Sequence, residues 1–199
     1  MLPEAGLHAP FSSPDWIYEL QFEGTRCIAH VEPGRSGDTT RVLLQAVNGE
    51  VDANSRFPAI VRSLAELGGG PHVLDGTASV THRAEATGTA GASPADSRAA
   101  LCVSDLLVHA GEDLTGKSLL ARQARLRELL QDCNPAALMA AGNLPADAGL
   151  LRSMVATGRG TITVIAKRKA SRYQPGARSA DWLVVDTGPG TASFPSNTR

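Results

Sequence analysis

Residues 16–32 read WIYELQFEGTRCIAHVE, two largely apolar runs on either side of Glu23-Gly24. β-branched and aromatic residues are frequent in the runs, and a glycine in a short connection is typical of a tight turn between antiparallel strands. The pattern predicts one strand over residues 16–22 and its antiparallel return over residues 25–32. Together the two strands predict a β-hairpin near the start of the chain.

Further strands and helices follow without a regular β-α-β alternation. Strands are predicted over residues 41–46, 73–75, 78–80, 101–109, 161–166 and 181–186, with a turn at Gly76 between the second and the third. Helices are predicted for about three turns from Phe57, over residues 118–131 and over residues 145–156. This mixture predicts an α+β domain over residues 1–187, with mostly antiparallel sheets flanked by helices.

Two segments lack the periodicity of either kind of element. Residues 84–100 are rich in Ala, Gly, Ser and Thr, and they are predicted to form a mobile loop. Residues 188–199 are rich in Gly, Pro, Ser and Thr, and they are predicted to be a disordered tail. The strongest short turn signal is Asn48-Gly49.

Composition excludes several classes of protein. The longest apolar runs, such as residues 136–141, are far shorter than the roughly 20 residues that a membrane-spanning helix needs. Residues 1–11 carry no export signature, so we expect a cytoplasmic protein with no membrane partner. The net charge of -1 lacks the basic footprint of a general nucleic-acid binder. Three cysteines without a CxxC pair and five scattered histidines indicate neither a disulfide framework nor a metal site.

Lysine is rare among the 19 basic residues, because only Lys117, Lys167 and Lys169 could supply an amine nucleophile. The basic segment from Lys167 to Lys169, which continues to Arg172 and Arg178, has two interpretations. It is either a solvated strand edge or a contact for an anion such as phosphate. The arginines of the second predicted helix are interpreted as its solvated face.

Several short segments, taken in order, resemble the nucleotidyltransferase (adenylation) domain of bacterial ATP-dependent DNA ligases, particularly the end-joining type. The segments are Pro3, Pro10-Phe11, residues 14–26, Asn48-Gly49, residues 56–58, 73–76, 105–107 and 113–116, Leu119-Leu120 with Arg122, residues 166–168, Ser171, Tyr173, Pro175-Gly176, Arg178-Ser179 and Asp181-Trp182. They cover about residues 1–187. The resemblance implies the ligase-type nucleotidyltransferase fold, which is ATP-grasp-like. We expect no second, β-barrel domain in this chain.

The family's chemistry is the attack of a lysine amine on the α-phosphate of ATP, followed by transfer of AMP to a DNA 5′-phosphate end. It needs a nucleophile, carboxylates that bind a metal ion, and cations that neutralise the phosphates. The resemblance places other residues at seven such positions: Gln21 at the nucleophilic lysine, Val47 at an arginine, Thr77 at a ribose- and metal-associated glutamate, Ser104 at the aromatic residue that stacks on adenine, Ile162 at a metal-site glutamate, and Val184 and Asp186 at two triphosphate-binding lysines. Glu19, Arg26 and Lys167 match polar residues of the family's site.

Turn and core residues fit the family, whereas most residues of the reaction do not, so the resemblance implies a degenerate domain. Our first hypothesis is a pseudo-enzyme without a cofactor or metal, which acts as a binding or scaffold module for a protein, a small molecule or DNA. The second is a repurposed enzyme or binder with a less charged small molecule in the former nucleotide cleft. The third is residual ATP-dependent DNA ligase activity, the one hypothesis that requires ATP and Mg²⁺.

The three retained polar residues also have a simpler interpretation. Glu19 and Arg26 would form a charge pair across the predicted hairpin, and Lys167 would be a solvated strand residue. The positions of these side chains therefore decide between a remnant of the site and ordinary surface charge.

Overall fold

A computed structural model describes residues 1–34, 39–47, 53–82, 97–133, 137–157 and 163–188. The predicted turn at Asn48-Gly49, most of the loop predicted over residues 84–100, Ile162 and nearly all of the predicted tail lie outside the described residues. The elements in chain order are β1 (Leu2–Pro3), β2 (Leu7–His8), β3 (Ser13–Gln21), β4 (Thr25–Glu32), β5 (Arg41–Ala46), α1 (Ala53–Arg56), α2 (Pro58–Ala65), β6 (His72–His82), β7 (Ser97–His109), β8 (Glu112–Asp113), α3 (Leu119–Leu130), β9 (Leu138–Ala140), β10 (Asn143–Ala146), α4 (Ala148–Thr157), β11 (Thr163–Arg168), β12 (Arg178–Ser179) and β13 (Trp182–Val185).

These elements fall into two compact units. Unit 1 comprises Met1–Gln21, Thr115–Ala121 and Ala141–Arg199, and unit 2 comprises Phe22–Leu114 and Arg122–Ala140. No helix in the described ranges is long and apolar enough to cross a membrane.

Unit 1 is built on a five-stranded sheet in the order β10-β3-β11-β13-β2. Its pairs are antiparallel except for β13 with β2. Side chains alternate between the two faces of a strand. One face packs with α4 in a core of Tyr18, Ala146, Leu151, Val164, Ala166 and Val185. On the other face, Ile165 of β11 pairs with Glu19 of β3 and with Val184 of β13.

Unit 2 is built on a sheet in the order β5-β4-β6-β7-β8, with antiparallel neighbours, and β9 adds to β7 in parallel. Cys27, Ala29 and Val31 of β4 are buried, and the residues between them are partly exposed. The sheet therefore has a core face and a more polar face. The core includes Leu44, Phe57, Ile60, Leu64, Leu74, Leu106 and Leu126, which come from the strands and the helical segments.

Close backbone contacts in unit 2 require two glycines of the family-like segments. Gly24 has a φ of +155°, and a Cβ atom there would lie 2.3 Å from the carbonyl oxygen of Ala78. At Gly76 a Cβ atom would lie 2.7 Å from the carbonyl oxygen of Cys102. Because a larger residue would push the neighbouring strand away, these glycines serve the packing of the sheet.

The Asn54 side chain closes part of the outer edge of β5. Its Oδ1 accepts a hydrogen bond from the Leu44 amide at 2.7 Å, and its Nδ2 donates one to the Val42 carbonyl at 2.8 Å. One side-chain amide thus replaces a neighbouring strand at these two backbone groups. An edge strand otherwise leaves such groups to solvent or to another chain.

The α+β architecture and most predicted elements are confirmed, but the predicted hairpin is wrong. Residues 16–21 lie in β3, which pairs with β10 and β11, whereas β4 pairs with β5 and β6. The sequence pattern specifies a strand and its buried face without specifying its neighbour, and the short connection at Glu23-Gly24 favoured local pairing. That connection instead joins strands of two different sheets.

Three further boundaries differ from the prediction. The strands predicted on either side of Gly76 form the single strand β6, and the pairing register shifts at Gly76 instead of the chain turning there. Residues 97–100, predicted as loop, extend β7. Pro145, predicted in a helix, lies in the edge strand β10, where a missing amide hydrogen is tolerated, and α4 begins at Ala148.

Candidate functional site

Four of the candidate residues lie on one face of the unit 1 sheet: Glu19, Gln21, Lys167 and Val184. Glu19 and Gln21 are two residues apart on β3, and Lys167 lies on β11, two residues beyond the partner of Glu19. Since side chains two residues apart on a strand share a face, these groups meet above the sheet. Trp182 pairs directly with Lys167 and belongs to the same group.

Glu19 and Lys167 form a buried ion pair. The Lys167 Nζ donates a hydrogen bond to Glu19 Oε1 at 2.7 Å, and the side chains are 1% and 0% exposed. The Gln21 Nε2 donates a hydrogen bond to the same oxygen at 3.0 Å. The Lys167 Nζ also lies 4.1 Å from the centre of the Trp182 ring, which is within the range of a cation–π contact.

This geometry corrects the simpler interpretation of the retained residues. Lys167 is buried rather than solvated, and Glu19 pairs with Lys167 rather than with Arg26. Two charges taken out of water are tolerated when each is neutralised and hydrogen-bonded, as here. A lysine that donates to a carboxylate as an ammonium has no lone pair for attack on phosphorus, and the Gln21 side chain is a carboxamide.

Two positions that the resemblance assigns to triphosphate-binding lysines carry no cation. They are Val184 on β13 and Asp186 just after it. Val184 is buried between its strand partners Ile165 and Leu7. Asp186 is exposed, and its Oδ1 accepts a hydrogen bond from the Gly188 amide at 2.9 Å. At these positions the protein therefore offers one apolar and one anionic side chain.

Four other candidate residues lie in unit 2, around Asp75: Arg26, Val47, Thr77 and Ser104. Arg26 donates from Nε to Asp75 Oδ1 at 3.0 Å and from Nη2 to Asp75 Oδ2 at 2.6 Å. Thr77 pairs with Arg26 in the sheet, and the Val47 amide donates to the Arg26 carbonyl at 2.9 Å. The Ser104 hydroxyl donates to the Asp75 carbonyl at 3.2 Å. The structure thus brings these four predicted residues together within unit 2.

The Arg26 guanidinium is held in place by a buried carboxylate. The Asp75 side chain is 1% exposed and that of Arg26 is 26% exposed, so the pair lies at the boundary between the unit's interior and its surface. Two parallel hydrogen bonds fix the plane of the guanidinium. The strand predicted over residues 73–75 includes Asp75 but does not indicate this role, because the role depends on the pairing of that strand with the strand of Arg26.

A second arginine–aspartate pair lies in the interior of unit 2. Arg122 donates from Nε and Nη2 to the Asp105 carboxylate at 2.8 and 2.7 Å, and both side chains are 0% exposed. Gln123 donates to the Ser104 carbonyl at 3.3 Å. The prediction that the helix arginines form a solvated face is therefore wrong for Arg122, although Arg125 of the same helix is exposed.

Each of the three buried carboxylates in the described ranges contacts a basic side chain of its own unit. The pairs are Glu19 with Lys167, Asp75 with Arg26 and Asp105 with Arg122. Carboxylates engaged in this way are not arranged as ligands for a metal ion. Ile162, the position of a further metal-site glutamate in the resemblance, lies outside the described residues.

Comparison with known proteins agrees with the family resemblance. Residues 7–185 match the family model described as the ATP dependent DNA ligase domain. The chain is 31% identical over 189 residues to the multifunctional non-homologous end joining DNA repair protein LigD of Mycobacterium tuberculosis (strain H37Rv), which covers 92% of this chain and 23% of that protein. It is also 31% identical over 176 residues to LigD of Pseudomonas aeruginosa (strain PAO1), covering 85% of this chain and 20% of that protein.

Solved structures give the same result. A mycobacterial DNA ligase D complexed with ATP and MES matches with a TM-score of 0.70 and 27% identity over 92% of this chain and 58% of that one. The ligase domain of M. tuberculosis LigD matches with a TM-score of 0.70 and 29% identity over 92% of this chain and 57% of that one. The predicted ligase-type nucleotidyltransferase fold is therefore confirmed, and the chain belongs to the ATP-dependent DNA ligase domain family.

Proposed function

We propose that this chain is a non-catalytic member of the ligase family, a pseudo-enzyme that uses the nucleotidyltransferase fold as a binding or scaffold module. The observation that supports this most strongly is the hydrogen bond from Gln21 Nε2 to Glu19 Oε1, beside the Lys167–Glu19 ion pair. The residue at the nucleophile's position is a carboxamide, whose nitrogen lone pair is delocalised into the carbonyl group. It does not form the lysine–AMP bond on which the family's reaction depends.

Lys167 does not replace the missing nucleophile. Its ammonium donates to Glu19, and the Trp182 ring lies 4.1 Å away. Attack on phosphorus would require Lys167 to lose its proton, and Glu19 would then be a buried carboxylate without this cation. Desolvation makes that state costly, so the ion pair opposes the reaction.

The described residues do not fit a nucleoside triphosphate with its metal ion. Triphosphate sites rely on cationic side chains and on carboxylates that hold the metal. Of the positions that the resemblance assigns to such groups, Val184 in unit 1 is apolar and Asp186 in unit 1 is negatively charged. Thr77 in unit 2 carries a hydroxyl in place of a carboxylate. Removing one key group from a site of this kind typically lowers the rate by about 10²–10³-fold or more. We therefore expect neither ATP nor Mg²⁺ to act as a cofactor.

The relatives indicate the setting in which a binding module of this kind would act. They are described as DNA ligases and as end-joining DNA repair proteins. We infer that the partner of this chain is DNA or a protein that assembles at DNA ends. The exposed basic side chains Lys117 and Arg172 of unit 1 are suited to contacts with phosphate groups.

Two assays on the full chain test this proposal. The first is sealing of a nicked DNA duplex in the presence of ATP and Mg²⁺ or Mn²⁺, with the ligase domain of M. tuberculosis LigD as the positive control. We expect no sealed product and no shift of the unfolding temperature with ATP. Sealing by this chain would overturn the non-catalytic assignment.

The second assay is fluorescence anisotropy with a labelled nicked duplex. If DNA is the partner, the chain binds it with a salt-dependent affinity that falls in Lys117→Gln and Arg172→Gln. Asp132→Asn, an exposed acidic position in unit 2, is the matched control and should not weaken binding. An affinity that does not respond to salt or to the basic substitutions would exclude this surface as the DNA contact.

A further inference from the structure

Two histidine rings are stacked at one end of the unit 2 sheet. His72 is the first residue of β6 and His109 is the last residue of β7. Their ring centres are 5.1 Å apart, and the ring planes are inclined by 24°. A stack of two imidazoles is favourable while both are neutral, and it becomes repulsive when both are protonated.

The hydrogen bonds of His72 require its neutral form. Its Nδ1 accepts a hydrogen bond from the Ala110 amide at 3.3 Å, so the proton lies on Nε2, which donates to the Gly68 carbonyl at 2.8 Å. The ring is 1% exposed. A second proton would enter at Nδ1, where an amide hydrogen already points, and the bond to Ala110 would be lost. The Gly111 amide donates to the Pro71 carbonyl at 3.0 Å and joins the same two segments.

His109 is also adapted to the neutral form. Its Nδ1 is buried and has no hydrogen-bond partner among the described residues, so a proton there would be unsatisfied. Burial, followed by the proximity of His72 and of Arg125, lowers the pKa of His109 below its ordinary value, with smaller opposing effects from Glu112 and Glu128. Arg125 and Glu128 lie on α3 and pair with each other at 3.0 Å, and Glu112 lies opposite His109 on β8.

We propose that His72 and His109 form a pH-sensitive latch, in which the neutral stacked rings hold residues 68–72 against the turn at Ala110-Gly111 and protonation of His109 releases them. The sign follows from proton linkage. Because the closed state binds protons less readily than the open state, acidification favours the open state. β6 carries Asp75 and Thr77 and β7 carries Ser104, so the latch fixes the ends of two strands that hold the unit 2 candidates. The latch does not depend on the proposed function.

Amide hydrogen exchange of the full chain, measured by NMR and corrected for intrinsic exchange rates, tests the latch. The measurement compares about pH 7.5 with about pH 5.5, on either side of the ordinary histidine pKa of about 6.5. We expect the protection factors of the Ala110 and Gly111 amides to fall by up to about tenfold at the lower pH, the change that uptake of one proton supplies over one pH unit below the ordinary histidine pKa. The amides of β11 in unit 1 should keep their protection.

A double variant, His72→Gln with His109→Phe, removes both imidazole rings and keeps a side-chain amide and an aromatic ring at these positions. We expect its Ala110 and Gly111 amides to show no pH dependence. The matched control is His30→Phe, on β4 of the same unit, which should behave like the wild type. Wild-type protection that persists at the lower pH, or a fall of equal size in the double variant, would overturn the proposal.

The wild-type ring titration provides a second readout if the double variant does not fold. We expect the ring signals of His109 to report protonation over the same pH range in which the two amides lose protection. Loss of protection while the His109 ring remains neutral would contradict the latch.

Discussion

The Lys167 ammonium and the Glu19 carboxylate are 2.7 Å apart, buried, and 148 residues apart in the sequence. Gln21 donates to the same carboxylate oxygen, and the Trp182 ring lies beside the ammonium. The two ionisable residues of unit 1 that the resemblance matches to the family's site thus neutralise each other. This arrangement neutralises both buried charges, so removal of either partner alone leaves an uncompensated charge in the interior.

Removal of the Lys167 cation should destabilise the chain strongly. Lys167→Met leaves Glu19 buried without its lysine, and loss of one partner of a buried ion pair costs about 3–5 kcal/mol. Urea denaturation, followed by circular dichroism, measures the change in the free energy of unfolding. Glu19→Gln combined with Lys167→Met is the matched control and should recover a large part of the loss. A single substitution that costs less than about 1 kcal/mol, the range of exposed ion pairs, would show that the pair is not buried in solution.

The two arginines of α3 should differ sharply in their effect on stability. Arg122→Leu removes the partner of the buried Asp105, and we expect a loss of about 3–5 kcal/mol. Arg125→Leu removes an exposed pair with Glu128, which is typically worth about 0.3–0.5 kcal/mol. Denaturation curves of the two variants make the comparison on one helix. Equal effects would contradict the burial of Arg122.

Asn54 should stabilise unit 2 through the edge of β5. Asn54→Ala removes the side-chain partners of the Leu44 amide and the Val42 carbonyl, and we expect a loss of about 1–3 kcal/mol. Light scattering at high protein concentration should also increase, because the opened edge can pair with another chain. Gln45→Ala, at an exposed position on the same strand, is the control and should change neither quantity.

A lysine at position 21, where the resemblance puts the family's nucleophile, should not be sufficient for adenylation. In Gln21→Lys, the new amine lies beside Glu19 and Lys167, while the positions in unit 1 that the resemblance assigns to triphosphate-binding lysines still carry Val184 and Asp186. In-line attack requires the phosphates to be held in place. Incubation with ATP and Mg²⁺ followed by peptide mapping should detect no AMP. An adduct mapped to position 21 would show that the remaining site still binds ATP productively.

The sequence predicted the fold class well, because it depends on local patterns. Alternation and turn residues define most strands, whereas the replacement of site residues at Gln21, Thr77 and Val184 stays a prediction from the family resemblance. The glycines at positions 24 and 76 fit the family for a physical reason, since neighbouring backbone leaves no room for a Cβ atom.

Side-chain partners were predicted poorly, because they depend on which strands become neighbours. β3 pairs with β11 from the C-terminal part of the chain, and only this pairing places Lys167 against Glu19. The predicted hairpin suggested Arg26 as the partner of Glu19 instead. The burial of Arg122 also depends on a partner that the sequence does not show. A basic residue on a leucine-rich helix indicates a solvated face unless a buried carboxylate such as Asp105 is known to lie opposite it.

Intact-mass spectrometry after incubation with ATP and Mg²⁺ or Mn²⁺ measures directly whether the chain becomes adenylated. We expect the mass of the chain to stay unchanged, while the ligase domain of M. tuberculosis LigD, treated in parallel, gains one AMP. A gain of one AMP by this chain, mapped to Lys167 or to any other lysine, would show that it carries out the family's first step and is not a pseudo-enzyme.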